Sequence, residues 1–372
     1  MSDEQRLHDR FVRLCEIASP TGDERAVADD VLAELRGLGV EVEEDGAAGP
    51  ARAGAGNLIA RVPGRGEGYV AFFAHLDTVP HDDPIKVDLA NGVFRSVGDT
   101  ILGADNKAAV TVLVELAARA VESGPPPVGL ELVFTVAEED GLRGAKELDV
   151  SALRSPFGFV LDHATPIGEI VVASPTYFRL EAAFHGKAAH AGIRPEEGRS
   201  AVLAAALAIA AMPLGRIDDQ TTANVGSVRG GTGSTNVVPD RCHLLAEARS
   251  LDPARVEDVV AKMVDALHDG AAHAECDVDV VCEKLFTGFK VRPSAPELTA
   301  AEAALRACGY EPRRIQTGGG SDANALQAAG FPCLNLANGT ERNHEATERV
   351  SVAALEGMLD VALVLLDEAA AA

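Results

Sequence analysis

Apolar residues fall into two rhythms along the chain, and the change of rhythm marks its organisation. Residues 3 to 38 read as helical, with a break at Ser19 to Gly22 and a stop at Gly37 and Gly39. The Gly- and Ala-rich stretch 45 to 56 reads as a loop. Unbroken apolar runs follow at Tyr69 to Ala74, Leu130 to Val136 and Phe157 to Leu161, with a helix from about Asn106 to Ser123 between the first two. Such runs alternating with helices predict a largely parallel sheet covered on both faces.

The second rhythm alternates. Tyr177 to His185, Thr222 to Val228, Asn236 to Arg249 and Cys276 to Leu285 read as half-buried strands. Ser200 to Met212 is an Ala-rich helix, and Asp252-Pro253 caps a second one running to about His268. The order β-α-β-β-α-β is ferredoxin-like. After Pro293 the first rhythm resumes: a helix from Pro296 to Cys308, a glycine run from Thr317 to Ser321, an apolar strand Pro332 to Ala337 and a last helix from Val352 to Ala369. The expected fold class is α/β, a catalytic domain of residues 1–174 and 288–372 interrupted by an α+β domain at 175–287.

Composition narrows the function classes. Acidic residues outnumber basic ones by 57 to 33, for a formal charge of -24. With no local basic patch, phosphate-rich partners such as nucleic acid or anionic membranes would be repelled. The longest apolar stretch, Ala201 to Met212, is too short to cross a bilayer. The polar N-terminal residues lack the core of a signal peptide, and the six cysteines form no CxxC pair. A cytoplasmic protein with reduced thiols is expected.

Ligands of open α/β sheets gather beyond the carboxyl ends of the strands. The first apolar run leads into His75 and Asp77, the second into Glu138 and Glu139, the third into Asp162, and the last through a short loop to His344. Asp105 stands at the start of the helix between the first two. Two His and several carboxylates suit a pair of divalent cations such as Zn, Mn or Co. Two such ions bring a charge of about +4, balanced by Asp105, Glu139, Asp162 and a shared hydroxide. Asp105 would bridge, and each ion would take one His, either His75 or His344, and one remaining carboxylate. Asp77, two residues after His75, would accept the imidazole's second N–H and fix its orientation. Glu138 and Glu139 cannot both face one side of a strand, so the segment turns there and leaves Glu138 as general base.

The motifs AHLDT, GADNKAAV, TVAEEDGLRGAKELD, FVLDHA and GGGSDANALQAAGFPCLNLANG, with the later NHE, resemble the dinuclear zinc aminopeptidases and related hydrolases typified by peptidase T. That family includes glutamate carboxypeptidase, aminoacylase and succinyl-diaminopimelate desuccinylase. GKAAHAGIRPEEGRSA, MPLGRIDDQTTANVG and AEARSLD point to its tripeptidase branch. The resemblance implies metal ligands His75, Asp105, Glu139, Asp162 and His344, base Glu138, and Asp77 behind His75. It also implies that 175–287 is a lid and often a homodimerisation module. His190 would then stabilise the oxyanion, from its own or a neighbouring subunit. Arg249 resembles an arginine that meets a substrate carboxylate, with an ordinary surface Arg as the rival reading. Asn224 and Asn236 resemble asparagines near the substrate.

The expected activity is therefore hydrolysis of short peptides by a two-metal centre, with two zinc ions and Co or Mn as substitutes. The alternatives are an amidohydrolase of N-acyl amino acids and a catalytically silent metal-binding protein. A phosphotransferase is disfavoured, because the glycine run lacks the GK[ST] ending of a phosphate-binding loop. Gly319 and its neighbours would instead let backbone approach the substrate.

Overall fold

The computed structural model describes residues 2–371. The chain divides into two compact units, one running to Ala173 and resuming at Lys290, the other spanning Ser174–Phe289. Each has its own apolar core.

In the first unit, four parallel strands form the centre of a mixed sheet in the order Gly129–Thr135, Tyr69–His75, Gly158–His163 and Cys333–Ala337. Their residues are almost wholly buried, as continuous apolar runs require. The strands adjoining these four pair with them antiparallel. Leu58–Val62 and Glu41–Glu44 extend one side, and Glu169–Ser174 pairs antiparallel with Cys333–Ala337 on the other. The helix Ala104–Glu122 is buried on nearly every face, so its apolar residues show little amphipathic contrast. Its first turn is interrupted at Asp105 and Asn106, whose backbone is not helical and whose joining peptide is cis.

The structure adds elements that were not expected, among them the flanking strands Glu41–Glu44, Leu58–Val62 and Glu169–Ser174. The stretch 45 to 56 contains a single helical turn, Ala48–Ala51. A small sheet of Val87–Ala90, Val93–Ser96, Thr340–Glu341 and Arg349–Ser351 was not expected. Its strands are too short, and too exposed on alternate positions, to carry an apolar signature.

The second unit is a five-stranded antiparallel sheet in the order Gly215–Asp218, Thr221–Gly230, Arg241–Ser250, Thr176–His185 and Asp277–Phe286. Four of these strands and the helices Ala201–Ala211 and Pro253–His273 follow the β-α-β-β-α-β order, and Gly215–Asp218 is an added edge. The helices cover one face only: Leu180, Ala182, Leu244 and Ala246 are buried beneath them. Leu245 and Val281 point outward. Asp252 caps the second helix, accepting from Ala254 and Arg255 N–H groups at 3.0 and 3.4 Å.

Candidate functional site

The central strands end on one cluster. His75 is the last residue of Tyr69–His75, Asp162 lies near the end of Gly158–His163, and Glu138 and Glu139 follow Gly129–Thr135. Asp105 enters from the head of the buried helix, and His344 from the loop after Cys333–Ala337. Their donor atoms form overlapping groups lying within 4.8 Å of one another: His75 with Asp105 and Asp162, Asp105 with Glu139 and His344, and His75 with Glu138 and Glu139.

Asp105 faces both histidines. Its Oδ1 lies 3.3 Å from His75 Nε2, and its Oδ2 lies 3.1 Å from His344 Nε2. Asp162 Oδ1 completes the first side at 3.6 Å from His75 Nε2, and Glu139 Oε1 the second at 3.0 Å from His344 Nε2. Metal–ligand bonds of about 2.0–2.1 Å at tetrahedral angles put neighbouring donors about 3.3 Å apart. The observed separations bracket that figure.

The hydrogen bonding fits cations as well. His75 Nδ1 donates to the Asp77 carbonyl at 2.9 Å, which turns Nε2 toward two carboxylates, where a neutral ring would offer its lone pair to a cation. Glu139 Oε1 is buried and close to His344, yet no donor is aligned with it. The imidazole nitrogens and carboxylate oxygens that converge here hydrogen-bond one another through Nε2 protons, and with those protons displaced their lone pairs would suit a shared positive ion.

Asp77 stands behind His75, as expected, and meets its ring through the backbone carbonyl as well as the carboxylate. Its carboxylate oxygen is 3.5 Å from His75 Nδ1, and its carbonyl is the nearer partner. The strand ends at His75, so the alternation that would aim both side chains alike stops there. The carboxylate also holds the next loop: Oδ1 accepts the Glu138 N–H at 2.9 Å, and Oδ2 accepts those of Glu139 at 3.2 Å and the Thr21 hydroxyl at 2.8 Å. The turn expected between strand and glutamates begins at Ala137, with φ of 50°. Gly144 lets the returning chain close on it: a Cβ there would stand 2.2 Å from the Val136 carbonyl oxygen.

Burial and crowding of like charges raise the proton affinity of several groups. Asp162 is pushed up to about 8 by burial and then by the charge of Asp105. Glu138 is raised well above the carboxylate range by burial, then by Asp162 and Glu139, against the opposing pull of His75. Burial alone would lower His75, but its bonds to Asp105 and Asp162 outweigh it and raise the imidazole. Asp105 goes the other way, because contacts with His344 and His75 overcome its burial. Among the described residues no buried Lys or Arg balances these carboxylates directly. Lys107, the nearby buried cation, donates to the Ile17 carbonyl.

Three contributors escaped the sequence reading. Asn335 brackets Asp162, accepting its N–H through Oδ1 and donating to its carbonyl, both at 3.0 Å. Asp322, directly after the glycine run, is buried and accepts from the Thr135 hydroxyl. Glu348 accepts three backbone N–H groups from Leu102, Gly103 and Asp105. A carboxylate four residues beyond His344 was the available signal for the last.

The remaining expected residues are placed as follows. Gly319 belongs to the first unit, and its N–H donates to the Thr317 hydroxyl at 3.1 Å. In the second unit His190 is exposed, and its Nδ1 accepts the Gly192 N–H at 3.2 Å, which leaves Nε2 to carry the ring proton. Asn236 adjoins it, its carbonyl accepting the Ala191 N–H at 2.9 Å. Arg249 and Asn224 share the sheet face away from the helices, Asn224 opposite Glu247 across the strand pair. Arg249 lies 4.1 Å above the Tyr177 ring and 3.1 Å from Glu247.

Residues 176–275 match the family model described as a peptidase dimerisation domain, and residues 57–162 match peptidase family M28. The uncharacterised protein YqjE of Bacillus subtilis is 39% identical over 372 residues, the full length of both chains. The crystal structure of aminopeptidase PepT from Bacillus cereus is 39% identical with a TM-score of 0.86, covering 99% of each chain. That of a tripeptidase from Staphylococcus aureus is 35% identical with a TM-score of 0.92, again over 99% of each. Among the described residues no helix is long and apolar enough to cross a membrane. With the fold, the strand-end cluster and full-length relatives in agreement, the chain belongs to the M20 peptidase family, on its peptidase T-like branch, as a hydrolase that uses divalent cations.

Proposed function

We propose that the chain hydrolyses short peptides, with an aminopeptidase or tripeptidase preference, at a pair of divalent cations with Glu138 as general base. The observation that carries this reading is the two-sided presentation of Asp105, one oxygen toward each histidine. His75 and Asp162 would hold one ion, His344 and Glu139 the other, and Asp105 both. Zinc suits this nitrogen and oxygen set, as do cobalt and manganese. Bound there, the ions supply Lewis acidity toward the peptide carbonyl and lower the pKa of water.

Glu138 has a carboxylate oxygen within 4.8 Å of donor atoms on both His75 and Glu139. It takes a proton from the attacking water and delivers it to the nitrogen of the departing amine. The Asp77 carboxylate holds Glu138 in place through its backbone N–H. From the second unit we assign His190 as donor to the developing oxyanion, since its Nε2 carries the ring proton. Arg249, Asn224 and Asn236 are assigned to substrate recognition. The match to a dimerisation domain supports a homodimer formed through residues 175–287.

A panel of tri- and dipeptides beside matched N-acyl amino acids, given to cation-replete protein, tests this reading. Peptides are expected to turn over and N-acyl amino acids to remain largely untouched. Glu138→Gln should lower kcat by about 10²–10⁴-fold, the usual cost of a missing base, while both cations stay bound. Unchanged turnover in that variant would remove the mechanism.

A further inference from the structure

Glu348 is 1% exposed and lies at the edge of the candidate centre. Its Oε2 accepts the N–H groups of Leu102 and Gly103 at 2.8 Å each, and its Oε1 accepts that of Asp105 at 2.9 Å. Gly103 has a φ of 72°, a left-handed conformation that turns successive N–H groups toward one side and makes a concave seat for an anionic oxygen. The seat belongs to the loop that ends in Asp105. The carboxylate that fills it comes from the loop that carries His344, four residues earlier.

We infer that Glu348 is a positioning residue for the cation pair: by gripping the 102–105 backbone from the His344 loop, it fixes the shared carboxylate of Asp105 against His344. The inference rests on the two-metal reading above. Asp105 Oδ2 and His344 Nε2 stand 3.1 Å apart, although they come from segments 239 positions apart in the chain. Apolar packing tolerates small slides, whereas hydrogen bonds from N–H groups to a carboxylate are short, directional and about twice as strong as neutral ones. No other side chain hydrogen-bonds the 102–105 backbone and also belongs to the His344 loop among the described residues. The Asp105 loop has independent supports in Cys15, whose Sγ lies 3.8 Å from the Gly103 carbonyl, and in Lys107, which donates to Ile17. Loss of the Glu348 grip should therefore shift the loop without unfolding it.

The test compares the parent, Glu348→Gln and Glu131→Gln. Glu131 is also a fully buried carboxylate that accepts backbone N–H groups, those of Arg154 and Ser155 at 2.8 and 2.9 Å, but it takes no part in the cation cluster. Each protein is titrated with Co²⁺ against a chromophoric chelator, its cobalt absorption spectrum is recorded, and its thermal unfolding is followed. The parent is expected to bind two equivalents. Glu348→Gln should hold at least one of them about 10–100-fold more weakly, with an altered cobalt spectrum. Glu131→Gln should lose thermal stability while keeping the parent's affinities. Parent-like affinities and spectrum in Glu348→Gln would overturn the inference and leave the two-metal reading standing. Equal weakening in Glu131→Gln would also overturn it, by tracing the effect to general destabilisation. A parent that binds no cation would remove both readings. If Glu348→Gln does not accumulate as folded protein, Glu348→Asp is read by the same criteria, since it keeps the charge but ends one methylene short.

Discussion

The two units of this chain hold their chemistry in opposite ways. In the first, the groups other than the exposed His344 are buried or nearly so and fixed by others: His75 by the Asp77 carbonyl, Asp162 by Asn335, and the Glu138–Glu139 turn by the Asp77 carboxylate. In the second, His190, Asn224 and Asn236 are exposed, and their hydrogen bonds reach only near neighbours or strand partners. A cation centre needs donors held to a few tenths of an ångström before the ion arrives, because each misplaced ligand weakens binding. Groups that meet a substrate can be ordered as it binds. On the proposed mechanism, the first unit would carry its fixed part and the second its adaptable part.

The comparison breaks most sharply at Asp105. Asp105→Ala removes the carboxylate that faces both histidines, so bound cation and turnover should fall together, the latter by at least about 10³-fold, or roughly 4 kcal/mol in the barrier. Metal analysis of the purified variant beside its kcat checks this. A variant that kept two equivalents of cation would show that Asp105 is not shared.

In the second unit the outcome should separate. His190→Ala is expected to lower kcat by about 10²–10³-fold, the usual cost of losing one oxyanion donor, with the parent's cation content unchanged. Steady-state kinetics with metal analysis on the same sample reads both quantities. A drop in bound cation would erase the division of labour between the units. A kcat equal to the parent's would return His190 to the status of a surface histidine.

Much of this arrangement was legible in the sequence, for a physical reason. Buried central strands must be apolar along their whole length, so Tyr69–His75 and Gly129–Thr135 announce themselves, and the polar residue ending each run marks the sheet edge where ligands collect. The second unit covers its sheet on one side only, which makes alternation visible from Thr176 to His185. What could not be read depends on contacts remote in sequence. Nothing near Glu348 reports that its partners are N–H groups some 243 to 246 positions away. Asp322 follows a glycine run, and its partner, the Thr135 hydroxyl, lies 187 positions away in the chain. The second task of Asp77, accepting the Glu138 and Glu139 N–H groups some 61 and 62 positions away, is of the same kind. Glu41–Glu44 is an edge strand of sequence EVEE, whose side chains are mostly solvated and so leave no apolar trace.

The smallest expected effect tests whether the second unit's fold can be weakened without touching the centre. Asp252 caps the helix Pro253–His273 through two backbone N–H groups, and the helix contributes Val256, Val259, Met263 and Leu267 to the core of its own unit. Asp252→Ala leaves those donors to water and should cost about 1 kcal/mol of stability, typical for a lost N-cap. In a chain with two separate cores the loss should appear as earlier unfolding of the second unit, read by hydrogen exchange along Pro253–His273, with protection along Ala104–Glu122 unchanged. Cation affinity should equal the parent's, because no ligand candidate lies in the second unit. If exchange rose equally in both helices, the two cores would unfold as one, and the contrast between a rigid centre and an adaptable insert would have to be drawn within a single cooperative body.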